Sequence, residues 1–233
     1  MANIDTIVEK QVRTWTENLR QTAREGRVEV HWSIITVSRE FGARGAALAK
    51  RIAGRIGFTV WNREIVQAIA EDSEANREIV DALDERRRKA VEDAVLGALM
   101  GTKVTNVQYV RSLMRLVQAI SAHGSAIVVG RGANYILRPA DALRVRIVSP
   151  LDHRVAMYAR RMGISEKEAR QVISESDAER ADFVRHQFRR QVDEASDYDL
   201  IVNSSTFDLD EMADLVMQGY KAKFGRRPAQ SSS

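Results

Sequence analysis

The chain has 233 residues, 44% of them apolar and 29% charged, which is enough for one packed domain with a short appendage and too apolar for a disordered chain. Its 36 basic and 32 acidic residues leave a net charge of +4, which suits a protein that meets small anions and is too slight a surplus to argue for nucleic acid. There is no cysteine, which excludes disulfides, zinc-thiolate sites, iron–sulfur clusters and a cysteine nucleophile. No apolar run reaches about 18 residues, so no membrane span is expected, and the N-terminus lacks the pattern of a secretory signal. Cytoplasmic residence is the expectation.

Taken in order, residues 4–26 show helical periodicity, with Ile4, Ile7, Val8, Val12, Trp15 and Leu19 on one stripe. That stripe packs either on its own domain or on a second copy of the chain, so a homodimer through 4–26 is one expectation. Residues 33–38 form an apolar, β-branched run that reads as a buried strand. A loop with Gly42 and Gly45 follows at once, then a helix pattern over 46–56 that Gly57 ends. Residues 58–61 read as a second strand, and Asn62 is placed to cap a helix over 63–70. One long helix is expected over 75–100, with the charges at 84–89 as its solvated face, and an amphipathic helix over 106–121.

Residues 125–129 read as another buried strand, closed by Gly130-Arg131-Gly132. A further strand is expected over 143–148, and Pro150 stands early in a helix that runs to about 162. Ser165 followed by Glu168 makes a capping box for a helix over 165–194. Residues 200–202 form the last strand and 208–223 the closing helix, with a disordered tail after it. Strands alternating with helices imply a parallel sheet covered on both faces, an α/β fold.

In such a sheet, ligands bind beyond the carboxyl ends of the strands. A loop from the first strand into a helix presents backbone N–H groups and the positive helix end to anions, and glycine lets the backbone come close. The loop of residues 39–45 has that form. It does not match G-x-x-x-x-G-K-[ST]: Gly45 stands where the lysine belongs and Ala46 where the metal-binding hydroxyl belongs. Arg39 and Arg44 can supply charge instead. The four histidines are scattered without metal-ligand spacing, and neither a G-x-S-x-G elbow nor a G-x-G-x-x-G fingerprint is present.

Four segments together resemble the cytidylate kinase-like family, a divergent branch of the nucleoside monophosphate kinases. They are ITVSREFGARGAALAKRIAGRIGFTVWNREIV, AIVVGRGANYILR, ISEKEARQVISESDAERADFVRHQF and DYDLIVNSS, in the family's order. The resemblance covers about residues 33–218. It implies a three-layer P-loop kinase fold, a five-stranded parallel sheet with helices on both faces and a helical lid. It implies an extension over 1–30, a kinase-like domain over 31–224 with its lid from about 163 to 195, and a tail over 225–233.

The resemblance also implies roles. Arg39, Gly42, Ala43, Arg44, Gly45 and Ala46 would form the phosphate loop. Asn62, Arg63, Gly130 and Arg131 would meet the acceptor, Arg131 by its phosphate. Asp177, Arg180 and Arg185 would close over the reaction from the lid. ATP would be the donor and CMP or dCMP the acceptor, with Mg²⁺ on the donor phosphates; its protein ligand is not evident, and Glu40 and Asp177 are candidates by topology alone. The sequence departs from the family at Arg44, Ala46 and Ala47, at Asn62 in place of an aspartate, and at Gly132 in place of an acid. An active kinase, a degenerate nucleotide-binding scaffold or sensor, and a kinase for another small acceptor are therefore the three readings.

Overall fold

The computed structural model describes residues 4–24, 32–99 and 107–225. Five strands form one all-parallel sheet in the order β2-β3-β1-β4-β5. They are β1 (Ile34–Arg39), β2 (Thr59–Trp61), β3 (Ala126–Val129), β4 (Ala142–Val148) and β5 (Leu200–Asn203). The central strand β1 is the most apolar stretch near the start of the described domain, and its neighbours β3 and β4 match it in register, Ile35 beside Ile127 and Leu143. β1 and β3 are buried on both faces and read as near-continuous apolar runs, whereas β4 carries Arg144 and Arg146 among its apolar residues.

The two faces carry separate cores. On one, Ile34, Ala126 and Val128 pack with helices α1 (Ile4–Arg24), α3 (Arg63–Glu71), α4 (Ser73–Asp81), α5 (Glu85–Leu99) and α6 (Val107–His123). On the other, Ile35, Val37, Ile127 and Val129 pack with α2 (Gly45–Ile56) and α10 (Leu209–Phe224). This is the three-layer α/β arrangement that the alternation of strands and helices implies. The hairpin of α8 (Leu151–Met162) and α9 (Glu166–Phe188) has its own small cluster of Val155, Ala159, Ala169 and Ile173, with Phe41 of the β1–α2 loop packed against it.

Several local expectations hold. Asn62 accepts the Ile65 N–H at 2.9 Å and caps α3. Ser165 and Glu168 form both halves of the capping box of α9. Gly57 ends α2 in the left-handed region, φ 72°. The helix expected over 75–100 is instead two helices, broken before Asp84, whose carboxylate accepts the Arg87 N–H at 2.9 Å. A one-turn helix, α7 (Ala133–Ile136), follows the Gly-Arg-Gly turn, and α9 stops at Phe188 because Arg189 turns left-handed, φ 53°.

Part of the stripe on α1 packs within the chain. Val8, Val12 and Trp15 are buried, and Trp15 meets the edges of Trp61 and His123 at 6.1 and 5.1 Å. Ile7, on the same stripe, stays exposed. No described helix is long and apolar enough to cross a membrane. The tail expected over 225–233 lies outside the described residues beyond Gly225.

Candidate functional site

The site is built at the carboxyl edge of the sheet, over β3, β1 and β4. After Arg39 the chain leaves β1, turns at Gly42 (φ 81°) and Arg44 (φ 64°), and enters α2 at Gly45. The helix start has no side-chain cap and no acid in its first turn, so its early N–H groups keep their positive end open. Ala43 is fully buried and anchors the loop to the core, whereas Arg44 and Ala46 are exposed.

Arg39 turns inward. A Cβ placed on Gly45 would stand 2.8 Å from its Cβ and 3.0 Å from its Cγ; one on Gly130 would stand 2.3 Å from its Nη1. The side chain thus crosses the first residue of α2 and ends beside the turn that follows β3. There it joins Arg63 of α3, Arg131 of the Gly-Arg-Gly turn and Arg180 of α9 around a cavity of about 60 Å³. Gly130, Gly132, Asn134 and Phe183 complete the wall.

The four guanidiniums differ from the protein's ion-paired arginines. Arg144 is bonded to Asp199 at 2.9 Å, Arg154 to Asp177, and Arg55 to Asp210 and Asp214. Among the described residues, no carboxylate comes within ion-pairing distance of Arg39, Arg63, Arg131 or Arg180. Arg131 is held by Gln67 and lies over the Phe183 ring at 5.2 Å. Arg180 donates to the Arg39 carbonyl at 3.1 Å and lies over Phe41 at 5.3 Å. The Nε atoms of Arg131 and Arg180 are buried without an acceptor.

Burial pulls Arg39 down to about 10, and the like charges of Arg180, Arg63 and Arg131 add to it against the pull of Glu64. Loss of hydration also lowers Arg131 and Arg180, and Arg63 adds to both. Unpaired buried donors and mutually repelling cations are costly unless an anion joins them. The cavity holds roughly four to six waters by volume, so it suits a phosphate group and is too small for a nucleotide.

A second, larger cleft of about 580 Å³ opens beside it, lined by Arg39, Glu40, Arg146, Asp177, Arg180 and Arg185, with the segment after α9 opposite. Arg39 and Arg180 wall both spaces. Arg185 faces only the larger one and pairs with Asp182 at 2.6 Å on its own helix. Asp177 is committed to the loop: it accepts the Phe41 N–H at 2.7 Å and an Arg154 N–H. Arg154, 6% exposed, also donates to the carbonyls of Ser149 and Phe41, and so fastens α8, α9 and the loop together.

The side chains here offer Mg²⁺ no ligand set. The hydroxyl position is Ala46. The acid position is Gly132 (φ 66°), where a Cβ would stand 2.1 Å from the Phe188 ring. Of the two acids named from topology, Glu40 accepts the Ser149 N–H at 2.8 Å and lies 3.5 Å from Arg154, and Asp177 is committed as above. Among the described residues, no three acids or histidines gather as a metal site.

The structure brings Arg39, Arg63, Gly130, Arg131 and Arg180 to one cavity, and places Gly42, Ala43, Arg44, Gly45 and Ala46 in the adjoining loop and helix start. Asn62 caps rather than faces it. Sequence reasoning missed Gln67, Phe183, Arg154 and Phe188. Gln67 and Phe183 stand one helical turn beyond Arg63 and Arg180, and that spacing is the signal that finds them. Arg154 and Phe188 carry none.

Comparison with known proteins agrees with this frame. The sequence model of the cytidylate kinase-like family matches residues 34–206. A solved structure, that of an uncharacterized protein from Eubacterium ventriosum, shares the fold with a TM-score of 0.56 and 20% identity, over 82% of this chain and 99% of that one. Uronate isomerase of Corynebacterium glutamicum is 22% identical over 186 residues, 77% of this chain and 35% of that protein. The chain thus spans about a third of the length of that curated relative. The family match takes in the β1–α2 loop, the Gly-Arg-Gly turn and all of α9, the same elements that build the arginine cavity: the chain belongs to the cytidylate kinase-like family.

Proposed function

We propose that the protein transfers the γ-phosphoryl group of ATP to the phosphate of a nucleoside monophosphate, CMP or dCMP first among them. One observation carries this reading: four unpaired guanidiniums enclose a phosphate-sized space that shares a wall with a larger cleft beside the phosphate loop. The acceptor phosphate sits among Arg63 and Arg131, and the donor phosphates lie in the larger cleft against the loop and the start of α2.

Phosphoryl transfer asks for alignment and for charge facing the moving group, with little covalent work by the protein. The closed arginine cavity cannot admit a whole nucleotide, so α9 lifts for entry and returns with Arg180 once both substrates are in place. Closure excludes water, which strengthens each charge contact and prevents hydrolysis of the donor. α8 and the first half of α9 suit that motion because their cluster is separate from the two main cores, while Phe183 and Phe188 near the end of α9 pack on the first of those cores.

A second reading is nucleotide binding without turnover. Ala46 favours it, because it stands where the metal-binding hydroxyl of a phosphate loop belongs. Calorimetric titration with CMP, cytidine and AMP tests the shared part of both readings. CMP is expected to bind at least tenfold more tightly than cytidine, and Arg131→Ala to abolish the difference. Equal binding of CMP and cytidine contradicts a phosphate site in this cavity.

A further inference from the structure

Resting on that kinase reading, we infer that Arg39 supplies the charge of the missing loop lysine, and that residue 45 is glycine because the Arg39 side chain passes across it. Five arginines could have provided that charge. Arg44 is exposed on the outer turn of the loop, with Asp208 among its electrostatic neighbours. Arg63 and Arg131 wall the small cavity and not the larger cleft. Arg39 and Arg180 wall both, and of these only Arg39 is fixed to the sheet, at the end of the central strand, while Arg180 travels with α9. A lysine at the start of α2 would stand at residue 45, and Arg39 stands six residues earlier, at the end of β1.

The fit of the stem is tight. A methyl group at 45 would stand 2.8 Å from the Arg39 Cβ, whereas at 130 it would meet only the guanidinium end, and the backbone there (φ 83°) already favours glycine. Its guanidinium has no carboxylate partner, and its neighbours Arg63, Arg131 and Arg180 are cations, so an anion at this point would be met by charge from several sides. In the reaction, an oxygen of the acceptor phosphate dianion forms a bond to the γ-phosphorus. The bond from that phosphorus to the β,γ-bridging oxygen breaks, and its electron pair leaves on the diphosphate. The dianionic acceptor has no proton to lose. The equatorial oxygens of the γ-phosphoryl pass the partition, where Arg39 donates to them from the sheet side and Arg180 from α9.

The test compares wild type, Arg39→Ala, Arg39→Lys, Gly45→Ala and the Arg39→Ala/Gly45→Ala double variant. Each is first shown to be folded by circular dichroism, then assayed for ADP formation from ATP and CMP. Loss of Arg39 is expected to lower kcat about a hundredfold or more, on the scale seen for arginines that face a transferring phosphoryl group. Arg39→Lys should recover part of the loss, and millimolar guanidinium ion should raise the rate of Arg39→Ala but not that of wild type. Gly45→Ala should lower kcat in the wild-type background and add nothing where Arg39 is already alanine.

If wild type turns over and Arg39→Ala keeps its rate within a few-fold, the assignment of Arg39 is overturned and the kinase reading stands. If the rate is lost but guanidinium does not restore it and Gly45→Ala costs the same in both backgrounds, Arg39 is structural and the assignment is again overturned. If wild type forms no ADP with any monophosphate, the kinase reading itself fails and takes the assignment with it. Should Arg39→Ala not fold, Arg39→Lys and Gly45→Ala decide by the same criteria.

Discussion

Asp177 of α9 accepts the backbone N–H of Phe41 at 2.7 Å, so a helix carboxylate holds one of the amides of the β1–α2 loop. The same carboxylate bonds Arg154, which in turn bonds the Phe41 carbonyl at 3.0 Å. Loop and helix are therefore joined by a polar clasp beside the packing of Phe41 on the α8–α9 cluster.

Breaking this clasp should loosen α9. Asp177→Ala removes the acceptor of the Phe41 N–H and leaves the buried Arg154 with Glu40, at 3.5 Å, and the carbonyls of Ser149 and Phe41. A stability loss of about 1–3 kcal/mol is expected, measured by urea unfolding, together with faster proteolysis within residues 166–188. Unchanged stability and unchanged cleavage would mean that the clasp does not hold the helix.

Gly132 should not accept the acid that its family keeps there. The left-handed backbone strains any side chain, and Phe188 already fills the space. Gly132→Asp is expected to cost about 2–4 kcal/mol in thermal or chemical unfolding. Adding Phe188→Ala should return part of that loss, since it removes the overlap and leaves only the backbone strain. A fully additive double variant would contradict this account.

Trp15 ties α1 to the domain through Trp61 and His123. Trp15→Ala should cost about 3–5 kcal/mol in guanidinium unfolding, at any protein concentration. A loss that depends on protein concentration would instead point to an interface between copies.

Acid sensitivity should trace in part to Asp199. Burial alone would raise its carboxyl, but hydrogen bonds from Arg144 and Lys223 outweigh burial and hold it below the ordinary value. A lowered folded-state value means that the stabilisation is complete above the unfolded-state pKa, about 3.9, and is lost as pH falls through the folded one. Asp199→Asn should flatten the stability profile below about pH 4 and destabilise at neutral pH. An unchanged acid profile would assign the sensitivity elsewhere.

Much of the frame is legible in the sequence because its signals are local. The β-branched run before Gly42, the Asn62 cap and the Ser165–Glu168 box each declare themselves within a few residues. The break before Asp84 is hidden because its capping aspartate sits inside a run of charges. The turn of α7 is too short to show a period, and α9 ends at a left-handed arginine where no glycine marks the stop. The site was legible as a set of arginines but not as a geometry. Arg180 meets the Arg39 carbonyl across 141 residues of chain, and which cations lack a carboxylate is decided only by packing.

The central claim is that the arginine cavity takes the phosphate of a nucleotide acceptor. Its most direct test is ADP formation from ATP over a panel of nucleoside monophosphates, with Arg131→Ala beside the wild type. Turnover with a pyrimidine monophosphate that falls at least a hundredfold in the variant is the expected result. An equal rate in the variant, or no ADP from folded wild-type protein with any monophosphate, would contradict it.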